Sequence, residues 1–434
     1  MKASNANPYQ ELSRRLLFVV FGIFVFRVGA HIPIPGIDLA QLKIVMDKHS
    51  SGWLGLFNMF SGGAMSRLTL FTLGVMPYIT ASIIIQLLSM TFPPLEQLRK
   101  EGAKGRSKLS QYTRFAALGF ALMQSVGVSK LLIAQNLVLE PGLLFYFVTA
   151  VTLSTGTLFL MWLGEMMSEK GVGNGISLII FAGIVSRFPE GVSHLFMQAK
   201  QGQIHILAFI GILIAASAFT ALVVFVERAQ RQIPINYPSR QQGGKMTAAR
   251  GSVFPLKINM AGVIPAIFAS SLVIIPGMFN TLIPKYILDG PVGDIVYLIQ
   301  PGQPIYFALF VAAICFFCYF YTSLAYNPSD MADNIKRSGA IIPGIRPGKT
   351  TRDYIETVMM RLTFVACIYL SVLCAAPELM YRWWQMPFSF GGTSLLIVVV
   401  VVIDFVSQIQ SHLIPAQYAS LVKKNRKGNM DLLR

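Results

Sequence analysis

Charge is what this 434-residue sequence has least of: 13% of its residues are charged and only 19 are acidic. With 54% hydrophobic residues and a mean hydropathy of +0.59, that scarcity excludes a soluble domain of this size and defines a polytopic membrane protein. Cysteine is scarce too. All four (Cys315, Cys318, Cys367 and Cys374) fall in apolar stretches, so no disulfide framework is expected. Cys315-x-x-Cys318 has metal-like spacing, but no second Cys/His pair accompanies it, and a structural zinc needs four ligands. The five histidines (His31, His49, His194, His205, His412) are scattered, and none forms a pair at metal spacing. There is no His-Glu-x-x-His, no phosphate-cradling Gly-x-x-x-x-Gly-Lys-Ser/Thr and no Gly-x-Ser-x-Gly nucleophile turn. Neither a metal nor another cofactor is expected. Apart from Lys130, Arg187 and Glu356 at span ends, the ionisable residues within apolar stretches are few: Arg27, Arg361 and Asp404. Ion-coupled transporters and intramembrane proteases need such groups at depth, so this scarcity weighs against both.

What the sequence has is long apolar runs. Candidate spans are 16–34, 74–92, 115–134, 145–164, 175–188, 206–226, 258–279, 304–325, 355–376 and 388–407. The first follows Arg14-Arg15 and lacks an Ala-x-Ala-like exit, so it reads as a retained span. The fifth is short, and charge asymmetry decides whether it crosses. Ten crossings from a cytoplasmic N-terminus put 26 Lys and Arg inside and 8 outside; without the fifth, the split is 14 to 20. Ten spans with both termini cytoplasmic is the expectation, and most of the +17 net charge is then positive-inside bias. Five spans per half is odd, so the halves enter the membrane in opposite senses, the condition for an inverted repeat. The expected fold is all-α, with two inverted five-helix halves around a central pore. The halves are 1–188 and 206–407, joined by an external hinge loop 189–205 and followed by a tail 408–434.

Three local features bear on function. Residues 53–67 form a glycine-interrupted apolar segment too short to span a bilayer, running directly into one that can. Non-helical backbone at membrane depth needs protein around it or a water-filled cavity, so a short re-entrant element inside an enclosed cavity is expected. Second, Val75/Ile79, Ile176/Ile180, Val263/Ile267 and Ile397/Val401 are each spaced i,i+4 on one helix face. Lipid-facing packing explains such pairs by itself; a ring of them would instead make an apolar constriction that resists wetting. Third, the inside loops 227–257 and 326–354 are long and basic. In the second, Pro and Gly residues on both sides of Arg346 stiffen a turn that holds it outward. Positive-inside bias accounts for the charge of these loops; a docking surface for a large partner accounts for their length as well. Gly171-Val-Gly-Asn-Gly175 opens an apolar helix without a preceding strand and reads as a compact turn.

Six stretches carry a family resemblance: Asn58-Met-Phe-Ser-Gly-Gly-Ala64, Gly74-Val-Met-Pro-Tyr-Ile-Thr-Ala-Ser-Ile-Ile-Ile-Gln86, Gly173-Asn-Gly-Ile-Ser177, Asn259-Met-Ala-Gly-Val-Ile-Pro-Ala-Ile-Phe268, Pro343-Gly-Ile-Arg-Pro-Gly348 and Phe390-Gly-Gly-Thr-Ser-Leu-Leu-Ile397. In order and spacing the chain resembles the bacterial SecY family, channel subunits of the Sec protein translocase, and its proteobacterial branch most of all. The resemblance implies a non-enzymatic protein-conducting channel of the inner membrane that passes unfolded secretory chains and releases membrane segments sideways into lipid. It implies a plug at 57–67 (Phe57, Asn58, Met59, Phe60, Ser61, Gly62, Gly63, Ala64, Met65, Ser66, Arg67). It places Val75, Ile79, Ile176, Ile180, Ile267 and Ile397 in a pore ring, with Val263 on the same face and Val75 standing where isoleucine is common. Ser82, Gln86 and Asn259 become polar contacts of a lateral gate between spans two and seven, and Arg240 and Arg346 docking residues. Implied partners are SecE and SecG in a heterotrimer, the SecA ATPase, the ribosome through its rRNA, signal peptides and nascent chains, SecDF, YidC and the lipid bilayer. ATP hydrolysis would come from SecA.

Overall fold

The computed structural model describes residues 8–38, 41–42, 58, 61–202, 205–237, 241–242, 245–246, 251–272, 303–384 and 392–431. Helix occupies each expected span, in full or in part: α1 (Pro8–Gly29), α2 (Met76–Thr91), α3 (Pro93–Lys100), α4 (Ala103–Ala134), α5 (Leu143–Lys170), α6 (Gly175–Ser186), α7 (Phe188–Lys200), α8 (Ile206–Arg228), α9 (264–272), α10 (Pro304–Ala325), α11 (Pro328–Arg337), α12 (Lys349–Trp384) and α13 (Gly392–Asp431). By length and apolarity, seven helical stretches among the described residues qualify to cross a membrane, or eight with the pair α2/α3. That pair bends by 97° at Phe92, whose backbone is extended because a proline follows it. α1 is 22 residues long but carries Glu11, Arg14, Arg15 and Arg27. The fifth stretch is longer than expected. α6 passes through Arg187 into α7, giving 26 residues from Gly175 to Lys200, so much of the expected hinge loop 189–205 is helical. Pro189 sits in the first turn of α7, where a missing N–H costs nothing.

The chain divides into two compact units. The first takes the described residues up to Glu190 and those from Val401; the second takes Gly191–Val273 and Gly302–Val400. In the first unit, α4 packs between α2 and α5, and α5 also meets α1 and α6. Lipid gives helices no hydrophobic reason to associate, so close packing over small residues has to hold them. Glycine does this here. A Cβ at Gly164 would stand 2.8 Å from Ile176 Cγ1, and one at Gly156 would collide with the Leu70 carbonyl oxygen. The α5–α6 turn is the compact one expected: Gly173 has φ +92°, and Asn174 Oδ1 caps α6 by accepting from Ile176 N at 3.1 Å.

The second unit departs from the all-α expectation in one place. β1 (Gln230–Asn236) and β4 (Gly251–Lys257) pair antiparallel from Gln230↔Lys257 to Asn236↔Gly251, with two-residue strands β2 (Gln241–Gln242) and β3 (Lys245–Met246) beyond them. Alternation turns Ile233, Ile235 and Leu256 to one face, where they are buried. Cys315 of α10 is disulfide-bonded to Cys367 of α12, with Cα atoms 5.2 Å apart, one bond where no disulfide framework is expected from the sequence. α10 packs against α12, and a pairing across 52 residues leaves no mark in cysteine spacing. Cys318 and Cys374 are free and buried.

Glycine packing gives a test with opposite signs at two positions. Gly156→Ala drives a methyl into backbone and should destabilise the detergent-purified protein by about 1–3 kcal/mol. Gly119→Ala has open space around it and should be neutral or stabilising by up to about 1 kcal/mol. Thermal unfolding of the two variants side by side checks this.

Candidate functional site: a buried turn segment and a basic-loop platform

Residues 61–75 are neither helix nor strand but consecutive turns, and 61–65 are buried. Nearby side chains and backbone supply the hydrogen bonds that the segment's backbone needs. Asn58 O accepts from Gly63 N at 3.0 Å and Asn58 Oδ1 from Ser66 N at 3.0 Å. Ser61 Oγ accepts from Met65 N at 3.2 Å, and Ser66 Oγ donates to Gly63 O at 2.8 Å. Gly62 and Gly63 have φ of +67° and +83°, open to glycine at little cost. Gly62 has a second role: a Cβ there would lie 2.7 Å from Gly183 Cα, so the turn rests directly on the α6 backbone. Arg27, half-buried in α1, donates from Nη1 to Ser186 Oγ at 2.7 Å and to Gly62 O at 3.4 Å. After Arg67 the chain pairs with the segment following α1, through Ile34 N to Leu68 O and Leu70 N to Ile32 O, both 2.9 Å. Leu68 is held at φ +44°, costing about 1–2 kcal/mol for an L-residue, and is fully buried. Phe71 stacks between Phe26 and Phe159, with centroids 6.0 and 5.9 Å away. Phe57, Met59 and Phe60 lie outside the described residues.

Of the residues expected in an apolar ring, Val75, Ile79 and Ile180 are buried in the first unit, and Val263, Ile267 and Ile397 in the second. Ile176 is half-buried, with Cγ1 against the Gly164 position of α5. Of the expected gate residues, Gln86 donates from Nε2 to Ser82 Oγ at 2.9 Å along α2. Its Oε1 is buried with no hydrogen-bond partner among the described residues. Asn259 is occupied within its own unit: Nδ2 donates to Glu227 Oε1 at 2.8 Å and to Gly262 O at 3.0 Å, and Oδ1 accepts from Gly262 N at 3.1 Å.

The two long basic loops fold together. β1 and β4, α11 and the start of α12 share one core of Ile233, Ile235, Leu256, Ile335, Ile342 and Ile355 with their neighbours. Backbone ties them as well, through Asn236 N to Ile341 O at 2.8 Å and Ile341 N to Asn236 O at 2.9 Å. Arg346 is exposed on this platform. Its carbonyl accepts from the buried Thr351 Oγ1 at 2.9 Å, and Gly344 and Gly348, with φ of +79° and +114°, shape the turn on either side. Arg240 lies outside the described residues.

The SecY family profile matches residues 69–406. Protein translocase subunit SecY of Escherichia coli K12 is 51% identical to this chain over 428 residues, covering 96% of both. The chain belongs to the SecY family. The protein of the same name from Pseudomonas aeruginosa is 50% identical over 429 residues, covering 99% of this chain and 97% of its own. Among solved structures, one described as a protein conducting channel has TM-score 0.66 at 19% identity, covering 93% of both chains. Sec61 in the canine ribosome–channel complex from the endoplasmic reticulum has TM-score 0.64 at 19% identity and the same coverage. At that identity the two speak for the fold: the chain has the SecY/Sec61 channel architecture.

One residue of this SecY-family chain, at the expected start of the long basic loop 227–257, is buried at a helix end instead. Glu227 lies in the last turn of α8 and is 7% exposed. A buried carboxylate at a helix C-terminus faces the wrong end of the helix dipole and needs a donor; Asn259 supplies one. The clue was an acidic residue at the very end of a strongly apolar run. Glu227→Ala leaves the Asn259 amide short of a partner and should destabilise the protein by about 1–3 kcal/mol. Glu227→Gln retains an acceptor oxygen and should cost less, as read by thermal unfolding.

Proposed function

We propose that this chain is the protein-conducting channel subunit of a Sec translocase in the cytoplasmic membrane, with both termini cytoplasmic. The observation that carries this reading is identity of about half, over nearly the whole length, to proteins named protein translocase subunit SecY. In this reading residues 57–67 are the plug, and the seven apolar residues Val75, Ile79, Ile176, Ile180, Val263, Ile267 and Ile397 ring the pore. Such a ring grips an extended chain without specific hydrogen bonds and stays dry when empty. Ser82, Gln86 and Asn259 line the lateral gate. The unpartnered Gln86 Oε1 supports a polar contact there, whereas Asn259 must first give up Glu227 or Gly262. Arg346, with Arg240, docks the SecA ATPase or ribosomal RNA on the basic platform. SecE and SecG complete the heterotrimer, and SecDF and YidC act on the assembled channel. The chain hydrolyses nothing; SecA or the ribosome supplies the work. Signal peptides bias a closed/open equilibrium that plug and ring hold shut.

Two substitutions test this. Ile397→Asn puts an unpaired amide in a fully buried apolar position, penalising the closed state by about 1–3 kcal/mol. Secretion of proteins with defective signals should rise roughly tenfold, and unchanged stringency refutes the ring assignment. Arg346→Glu should weaken docking of the driving partner by about 2 kcal/mol or more. Export should then fall while the amount of folded protein stays constant; equal loss of both would mean that Arg346 serves folding.

A further inference from the structure

Arg67 closes the buried turn segment with contacts that neither the ring nor the gate requires. Its Nη2 lies 3.1 Å from Glu190 Oε1, and its Nη1 faces His31 Nε2. His31 Nδ1 is 2.8 Å from the Arg27 carbonyl oxygen. A carbonyl only accepts, so Nδ1 carries the proton and the neutral ring leaves Nε2 a lone pair for the Arg67 guanidinium. Arg27, one turn before His31, holds Ser186 Oγ and Gly62 O. Both ends of 62–67 are thus fastened, by α1 and the residue His31 just beyond it, and by the α6–α7 junction. Arg187, beside Gly63, adds a second cation near Glu190.

We propose that Glu190 and His31 are positioning residues that clasp the plug through Arg67, with Arg27 holding Gly62, and that this clasp sets how readily the channel opens. The proposal rests on the plug reading above. It does not concern the stability of the fold. The Arg67 and Glu190 side chains are 43% and 61% exposed, and an exposed pair shifts an equilibrium by no more than about fivefold. That is small against folding but sufficient to tune a two-state gate, where a ligand acts only through its differential affinity for the two states. Because the clasp sits on the segment's surface, it can be removed without touching a core residue.

The test uses the complete channel complex reconstituted into planar bilayers, with resting ion conductance as the readout. Four variants are compared with the parent: Glu190→Arg, Arg67→Glu, the two combined, and deletion of 57–67. Glu190→Arg should raise resting conductance about two- to fivefold, and adding Arg67→Glu should return it toward the parent value. A structural defect would not be repaired by a second charge reversal. Parental conductance in Glu190→Arg, or a double variant leakier than either single one, overturns the clasp while a leaky deletion leaves the plug reading standing. A deletion that conducts no more than the parent overturns the plug reading, and the clasp with it.

Discussion

Backbone at membrane depth has to find every hydrogen bond inside the protein, because hydrocarbon offers none. For most of this chain helices meet that demand automatically. Residues 61–75 do not form a helix, and much of the first unit can be understood as the surroundings that make such a segment tolerable. Asn58, Ser61, Ser66 and Thr72 return side-chain oxygens to their own backbone. Ile32 and Ile34 provide a short ladder. To let polypeptide lie this close, the walls are cut back to glycine at Gly29, Gly156 and Gly183. The stack of Phe26, Phe71 and Phe159 then fills what the glycines leave, each pair adding about 0.5–1.5 kcal/mol beyond area burial.

The basic-loop platform obeys a different rule. It is built like a small soluble domain, with an apolar centre assembled from a hairpin, a short helix and the base of α12. Leaving water drives it together. Arg346 is therefore presented from a stiff base: its turn is set by two left-handed glycines, and Thr351 anchors its carbonyl. A cation on such a base has little conformational freedom left to lose in any contact it makes.

Much of the fold was legible because length and apolarity encode a span directly. The misreadings arose where a local signal had a tertiary answer. Arg187 and Pro189 read as the end of the fifth span, yet a proline in a first turn lets α7 follow α6. The hairpin was readable in the alternation of Ile233, Ile235 and Leu256, but Pro234 and Pro255 disguised it. A two-stranded ribbon is all edge, so prolines fit there. The Cys315–Cys367 bond and the Glu227–Asn259 pair join residues distant in sequence, which spacing cannot reveal. Among the site residues, Val75, Ile79, Ile180, Val263, Ile267 and Ile397 are each buried within their own unit, and burial alone does not separate a pore lining from ordinary helix packing. Ile176 is half-buried, with Cγ1 against the Gly164 position.

Gly62 and Gly63 are adjacent glycines, both at positive φ, with two different roles. Their surroundings separate the two roles. Gly62 touches Gly183 and lends its carbonyl to Arg27, whereas a Cβ at Gly63 would find nothing closer than 3.9 Å. Gly62 is thus required for contact and Gly63 for backbone conformation. The hydrogen bonds from Asn58, Ser61 and Ser66 lie within 58–67, while Leu68 O and Leu70 N bond to the chain after α1. Ala64 O also accepts from Thr69 N at 3.1 Å and Thr72 Oγ1 at 3.4 Å, so the segment is tied to the chain that follows it as well as touching Gly183, Arg27, His31 and Glu190. Between the two sets of bonds stands Leu68, a buried residue held in a left-handed conformation that side chains avoid.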